Sequence, residues 1–166
     1  MSPDEPVLFD AGILIASLLR GDPRHAEARS VVEAARLGTI GACTTVGILS
    51  EAYAALTWEN AQPRHAPREA AEAIRTLIEA PSAIDVLGDG MHVALGFLDM
   101  TAAHGLTARR VHDARHAATA LASGVHQVYT YDTAHWEAFE SDGLRIVGPP
   151  SVLSRLRRGT QPSSGS

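Results

Sequence analysis

The sequence predicts an α/β protein in which a short, mainly parallel sheet carries helices on both faces. Three observations predict it. Short apolar runs of strand length alternate with longer segments of helical character along the chain. Capping residues open several of the longer segments and glycines close most of them. No linker-like stretch divides the first 150 residues, so one domain is expected over 1–150, followed by a polar, flexible Arg- and Ser-rich tail over 151–166. Right-handed crossovers between parallel strands bring the strand C-termini to one edge, where ligand sites of such sheets lie.

Pro6-Val7-Leu8-Phe9 reads as a buried strand with Asp10 directly after it, and Ile13, Leu14, Ala16, Leu18 and Leu19 mark a helix ending near Gly21. Asp22 followed by Pro23 predicts a second helix with an N-cap and a first-turn proline, running to Leu37 and stopped by Gly38. Thr39 to Cys43 reads as the second strand. Thr44 or Thr45 then caps a helix that carries Glu51 and ends near Trp58. A loop with two prolines separates it from a helix over 68–79, and Ala83 to Leu87 is a weak strand. Helices over 90–104 and 110–123 end at Gly105 and Gly124. Gln127 to Thr130 is a strand followed by Asp132, a short helix spans 134–139, and Leu144 to Val147 is the last strand before Pro149 and Pro150.

Composition removes several kinds of chemistry. Every one of the 14 basic residues is arginine. With no lysine, the chain has no Schiff-base, P-loop or general-base lysine. The single cysteine, Cys43, excludes an internal disulfide and a Cys-based zinc finger. A net charge of −5 argues against a general DNA-binding module, unless several acids serve as cation ligands and reverse the local field. The N-terminus lacks a positively charged leader and the apolar stretch 11–19 is too short to cross a bilayer, which leads to the expectation of a cytoplasmic protein without a membrane partner.

The candidate chemistry is a set of four acids. Asp10 and Asp132 each follow an apolar strand, Asp113 lies in the first turn of the helix feeding the strand before Asp132, and Glu51 lies on a helix after another strand. Parallel strands would deliver them to one cleft. Each acid also has an ordinary reading alone: Asp10 and Asp132 as turn or cap residues, Asp113 as a favourable charge at a helix N-terminus, Glu51 as a solvated helix face. Together, clustered carboxylates raise one another's pKa values, and a divalent cation removes that conflict. One or two such ions can activate water and stabilise the leaving oxygen of a phosphodiester, with no lysine, cysteine or serine nucleophile.

Leu8-Phe9-Asp10, Ser50-Glu51, the run from Val111 through His112-Asp113 to Leu121, and Tyr129-Thr130-Tyr131-Asp132 continuing to Trp136 resemble the PIN-domain family, specifically its VapC-type toxins. The resemblance spans about Val7 to Pro149, and its most specific part runs from Asp113 to Asp132. It implies a three-layer α/β/α fold and a Mg²⁺- or Mn²⁺-dependent endoribonuclease that cuts structured RNA, a tRNA or ribosomal RNA loop. It implies that Asp10, Asp113 and Asp132 bind metal, that Glu51 acts directly or through water, and that Thr130 orients the last acid. It further implies a homodimer and a cognate, VapB-like antitoxin whose peptide occupies the active-site groove. One departure stands out: the family often places a hydroxyl residue and then Asn after the first Asp, whereas Ala11 and Gly12 stand here. Support for the metal-binding acid must then come from elsewhere, and the alternative is a non-catalytic RNA- or partner-binding module.

Around Asp113, Arg109, Arg110, Arg115 and His116 are candidates to hold RNA phosphate, with Thr130 joining them as a substrate-side residue. The simpler reading of the arginines is solvation or a surface ion pair. His112 and His116 share a helix face, but no third ligand for zinc stands out. Trp58 and Tyr53 are candidates for a partner interface, and His135 for local packing or capping.

Overall fold

The structure is a computed structural model and describes residues 5–159. Five strands form one all-parallel sheet in the order β3-β2-β1-β4-β5. They are β1 (Val7–Phe9), β2 (Ala42–Thr45), β3 (Asp85–Leu87), β4 (Gln127–Tyr129) and β5 (Arg145–Gly148). Val7, Leu8 and Phe9 are fully buried, as a central parallel strand covered on both faces requires.

Between β1 and β2 come α1 (Ala11–Leu18) and α2 (His25–Arg36); between β2 and β3 come α3 (Val46–Thr57) and α4 (Pro67–Ile78). The chain then turns back, through α5 (Met91–Ala103) and α6 (Arg110–Ala122), to β4 on the other side of β1. A short α7 (Thr133–Trp136) and a 3-10 turn (Glu137–Asp142) lead to β5. Right-handed crossovers put the helices before and after this reversal on opposite faces. The packing agrees: α1 sits against α2 and α3, α3 against α4, and α5 against α6. The interior of α6 is alanine-rich, with Ala114, Ala117, Ala118 and Ala120 buried, which lets it lie close to the sheet.

The reversal of strand order between β1 and β4 is a topological switch point, where a crevice opens beyond the strand C-termini. Asp10 and Asp132 follow the two strands that flank it.

Three local expectations need correction. The second helix begins at His25 rather than Pro23, because the Asp22 carboxylate accepts the Arg24 amide (2.8 Å) in a local turn instead of capping a helix. The second strand lies at 42–45 rather than 39–43, its residues pairing in register with β1 and β3, and Thr45 then caps α3 by accepting from the Ile48 amide (3.1 Å). The segment after Pro149, read as a polar tail from 151, is helix α8 (Pro150–Gly159). Val152 is fully buried, and the Ser151 amide and hydroxyl both donate to Glu27 of α2, at 3.0 and 2.8 Å. Residues 160–166 lie outside the described residues.

Candidate active site

Asp10, Glu51, Asp113 and Asp132 line one cleft of about 340 Å³ at the switch point. Ala11 and Gly12 form its floor beside Asp10, and Arg24 and Tyr131 complete the wall. Four chain segments thus deliver four acids to a single opening.

Asp10 is the most enclosed of them, only 8% exposed. Its Oδ1 accepts the Ala11 amide (2.8 Å), making it the N-cap of α1. Its Oδ2 accepts from the Thr130 hydroxyl (2.7 Å) and the Trp136 indole N–H (3.1 Å). Burial pushes the Asp10 carboxyl up from its ordinary range, and the donors from Thr130 and Ala11 pull against that rise. The support that Ala11 and Gly12 do not supply comes instead from Thr130 and Trp136. Gly12 keeps the opening clear beside Tyr131.

Asp113 lies in the first turn of α6. Burial, and then the Asp10 carboxylate, push its pKa from 3.8 up to about 6. His135 lies between the other two acids, its Nδ1 3.1 Å from Asp113 Oδ2 and 3.0 Å from Asp132 Oδ2. The sequence reading gave His135 a local packing or capping role; the structure puts it inside the acid cluster.

Glu51 is held from behind by a chain of hydrogen bonds. The Ile48 amide donates to Thr45 Oγ1 (3.1 Å), Thr45 Oγ1 meets His116 Nδ1 (3.0 Å), and His116 Nε2 meets Glu51 Oε1 (2.7 Å). A neutral imidazole protonated on Nε2 satisfies all three, with the Thr45 hydroxyl donating to Nδ1. Close approach of α3 to α6 makes room for this. A Cβ on Gly47, one turn before Glu51, would lie 2.5 Å from Arg115 Nη2 and 2.6 Å from His116 Cε1.

The substrate-side candidates distribute differently from expectation. His116 is 1% exposed and Thr130 fully buried, so both brace the acids from within rather than facing a ligand. Thr130 Oγ1 also accepts the Asp132 amide (2.9 Å), tying the loop after β4 to Asp10. Arg115 extends toward Asp89 (3.7 Å) and, like Arg110, is not among the residues of the cleft wall. Arg24 takes that place, paired with Asp22 (2.7 Å) and lying 4.6 Å from the Tyr131 ring centre. Nothing in the sequence marks Arg24 as near Asp10. Trp136 carried a readable signal, since a buried indole N–H needs an acceptor.

The donor set suits a hard divalent cation. The cleft gathers four carboxylates; burial holds Asp10 above its ordinary pKa, and burial together with the Asp10 charge does the same for Asp113, a cost that a cation relieves. Among the described residues no group of three or more Asp, Glu, His or Cys side chains is arranged to hold a metal ion by itself. A hydrated Mg²⁺, which takes one or two carboxylates directly and keeps several waters, matches such an open arrangement.

The PIN-domain family model matches residues 7–139. No curated protein matches the sequence. Among solved structures, the Mycobacterium tuberculosis toxin VapC20, described as cleaving the sarcin–ricin loop, superposes with a TM-score of 0.62. The match covers 86% of this chain and 99% of that one at 17% identity, a likeness of fold.

Proposed function

The chain belongs to the PIN-domain family, and from that premise we propose that it is a Mg²⁺- or Mn²⁺-dependent endoribonuclease, the toxin of a toxin–antitoxin pair. The observation that carries the reading is the meeting of Asp10, Glu51, Asp113 and Asp132 in one cleft at the switch point of the sheet. The substrate class is a structured RNA, a tRNA or ribosomal RNA loop, in keeping with the fold shared with a ribosomal-loop-cleaving toxin.

In this reading Asp10, Asp113 and Asp132 hold the cation and Glu51 reaches it directly or through water. The bound cation supplies positive charge against the phosphodiester and lowers the pKa of the attacking water. Thr130 and Trp136 fix both the position and the rotamer of Asp10. His116 engages Glu51 Oε1, which leaves Oε2 to take a proton from water. Arg24 at the cleft wall is placed to meet a phosphate oxygen.

The proposal includes an antitoxin and a second copy of the chain as partners. Exposed apolar side chains suit such contacts: Val46, Tyr53 and Trp58 on and just after α3, and Met91, Leu95 and Leu98 along α5. No helix among the described residues is long and apolar enough to cross a membrane.

The test is incubation of the purified, partner-free protein with total cellular RNA in Mg²⁺, in EDTA, and as Asp113→Asn. Discrete fragments with Mg²⁺ alone are expected, and sequencing their ends identifies the cut site. Retention of RNA by folded protein without cleavage in Mg²⁺ or Mn²⁺ refutes the enzyme and leaves a binding module.

A further inference from the structure

We propose that a second pocket, at the far end of α1 from the acids, is a phosphate site that holds the RNA backbone beyond the scissile bond. The RNA rests on the ribonuclease reading above; the phosphate rests on the pocket itself.

The pocket, of about 310 Å³, is walled by Ser17, Leu18, Arg20, His25, Arg29 and His65. Two of the six are arginine and two histidine, and none is acidic. In a chain with 19 acids and a net charge of −5, this is a local reversal of the average field. The two arginines give this concave wall its positive charge, and concavity focuses the field on an ion of the other sign.

The groups are also held in place. His25 Nδ1 lies 2.8 Å from the Ala16 carbonyl and His65 Nδ1 lies 3.1 Å from the Pro63 carbonyl. Each ring therefore spends its Nδ1–H on the backbone, which leaves Nε2 an acceptor in the neutral ring and a donor to an oxyanion only in the protonated one. The Ser17 hydroxyl donates to the Leu14 carbonyl (2.7 Å) and closes the floor. Arg29 pairs with Glu33 at 2.7 Å, while the Arg20 side chain has no hydrogen bond or ion pair among the described residues. An unpaired guanidinium on such a wall is a fork awaiting an oxyanion.

Position selects the ligand. Helix α1 begins in the acid cleft, where Ala11 and Gly12 line the wall, and ends in this pocket, where Ser17 and Leu18 do. Six residues of helix span roughly 9 Å at about 1.5 Å each. The two sites meet again at α2, where Arg24 lines the cleft and His25 the pocket. A span of this size is on the order of one or two phosphate steps along a strand. A strand with its scissile phosphate at the acids thus reaches the pocket with a neighbouring one.

The test uses the full chain carrying Asp113→Asn, so that RNA binds and is not cut. Arg20→Ala with Arg29→Ala is compared with a charge-matched control, Arg75→Ala with Arg145→Ala, whose arginines pair with Glu79 and Glu5. Binding of a labelled single-stranded oligoribonucleotide is followed by anisotropy across a salt series. The pocket variant is expected to bind about tenfold more weakly at low salt, and its slope of log affinity against log salt to fall by about 0.7 for each cation lost. The control changes little. Inorganic phosphate alone is expected to shift the His25 and His65 ring resonances saturably, and not in the pocket variant.

An unchanged slope with RNA still bound, or an equal loss in the control, overturns the site. A pocket variant that loses affinity for polyglutamate but not for RNA overturns it too, and gives the pocket to an acidic partner. Phosphate shifts in a protein that binds no RNA uphold the phosphate site and refute the ribonuclease reading instead.

Discussion

Replacing Asp113 by Asn should make the metal-free protein more stable at neutral pH while abolishing the RNA cleavage proposed for it. The folded protein raises the Asp113 pKa from 3.8 to about 6, through burial and then the nearby Asp10 carboxylate. A rise of about two units corresponds to roughly 3 kcal/mol, which ionised Asp113 costs the folded state. The sign follows from the order of ionisation. Below the unfolded pKa both states hold the proton and there is no cost. As pH rises through the interval from 3.8 to about 6, the unfolded chain releases its proton first and stability falls. Above that interval the full cost is present. Asn carries no charge and gives up little else, since among the described residues the partner of the Asp113 carboxylate is His135 at 3.1 Å, itself exposed. The expected gain for Asp113→Asn at pH 7.5 in EDTA is about 2–3 kcal/mol, or roughly 4–12 °C in Tm for a domain of this size. The assay is thermal or urea unfolding of both proteins at pH 4.0, 5.0, 6.0 and 7.5. The difference should be small at pH 4.0 and largest at pH 7.5. Mg²⁺ should raise the Tm of the wild type at pH 7.5 and leave the variant nearly unmoved, because a ligand stabilises only a state that binds it. A variant less stable than wild type at pH 7.5, or a difference that ignores pH, would refute the reasoning.

Thr130→Val removes a donor to Asp10 and an acceptor for the Asp132 amide at once, so it should lower apparent Mg²⁺ affinity roughly 10- to 100-fold and cost about 1–3 kcal/mol of stability. Metal titration of the cleavage rate and urea unfolding measure the two effects separately. Gly47→Ala drives a methyl group against Arg115 and His116, and should cost about 1–3 kcal/mol as overpacking, read as a lower urea midpoint at unchanged m. His116→Leu leaves Glu51 Oε1 without its buried donor, and should lower kcat roughly 10- to 100-fold with KM little changed; His116→Gln, which keeps a donor, should recover part of the loss.

The sequence carries the sheet and the acids well because both obey local rules. Val7-Leu8-Phe9 and Gln127-Val128-Tyr129 are too short and apolar to be anything but buried strands, and an acid after each is placed by strand direction alone. Glu51 and Asp113 follow once Thr45 and the start of α6 are read as helix beginnings. What stays hidden is whatever depends on how elements cross. His116 looks like a surface histidine beside Asp113, yet α6 turns it inward, and only the missing side chain at Gly47 betrays how near α3 passes. Thr130 reads as a side chain on the way to a ligand but points into the core, joining two acids that are 122 residues apart in number. Helix α8 was read as tail because its composition is polar and Arg-rich. Its anchor is Glu27, a residue on another helix that no local pattern connects to Ser151.

The net charge of −5 seemed to oppose an RNA partner, and the distribution of charge resolves the opposition. Burial holds Asp10 above its usual pKa, and burial together with the Asp10 carboxylate does the same to Asp113, so the ionised site is costly without a cation. That cost is also what makes it selective, because the charge that relieves it is the charge a phosphodiester needs at the point of cleavage. Away from the cleft the polarity reverses within one helix length. Arg24 stands at the wall, and Arg20, His25, Arg29 and His65 stand beyond it. On the proposed reading, a polyanion would be drawn to the cleft by its cation and to one side of it by the protein's own arginines. An overall acidic chain of the proposed function would therefore engage RNA at the cation-loaded cleft and repel it elsewhere, as a nuclease of one loop requires and a protein that coats nucleic acid does not.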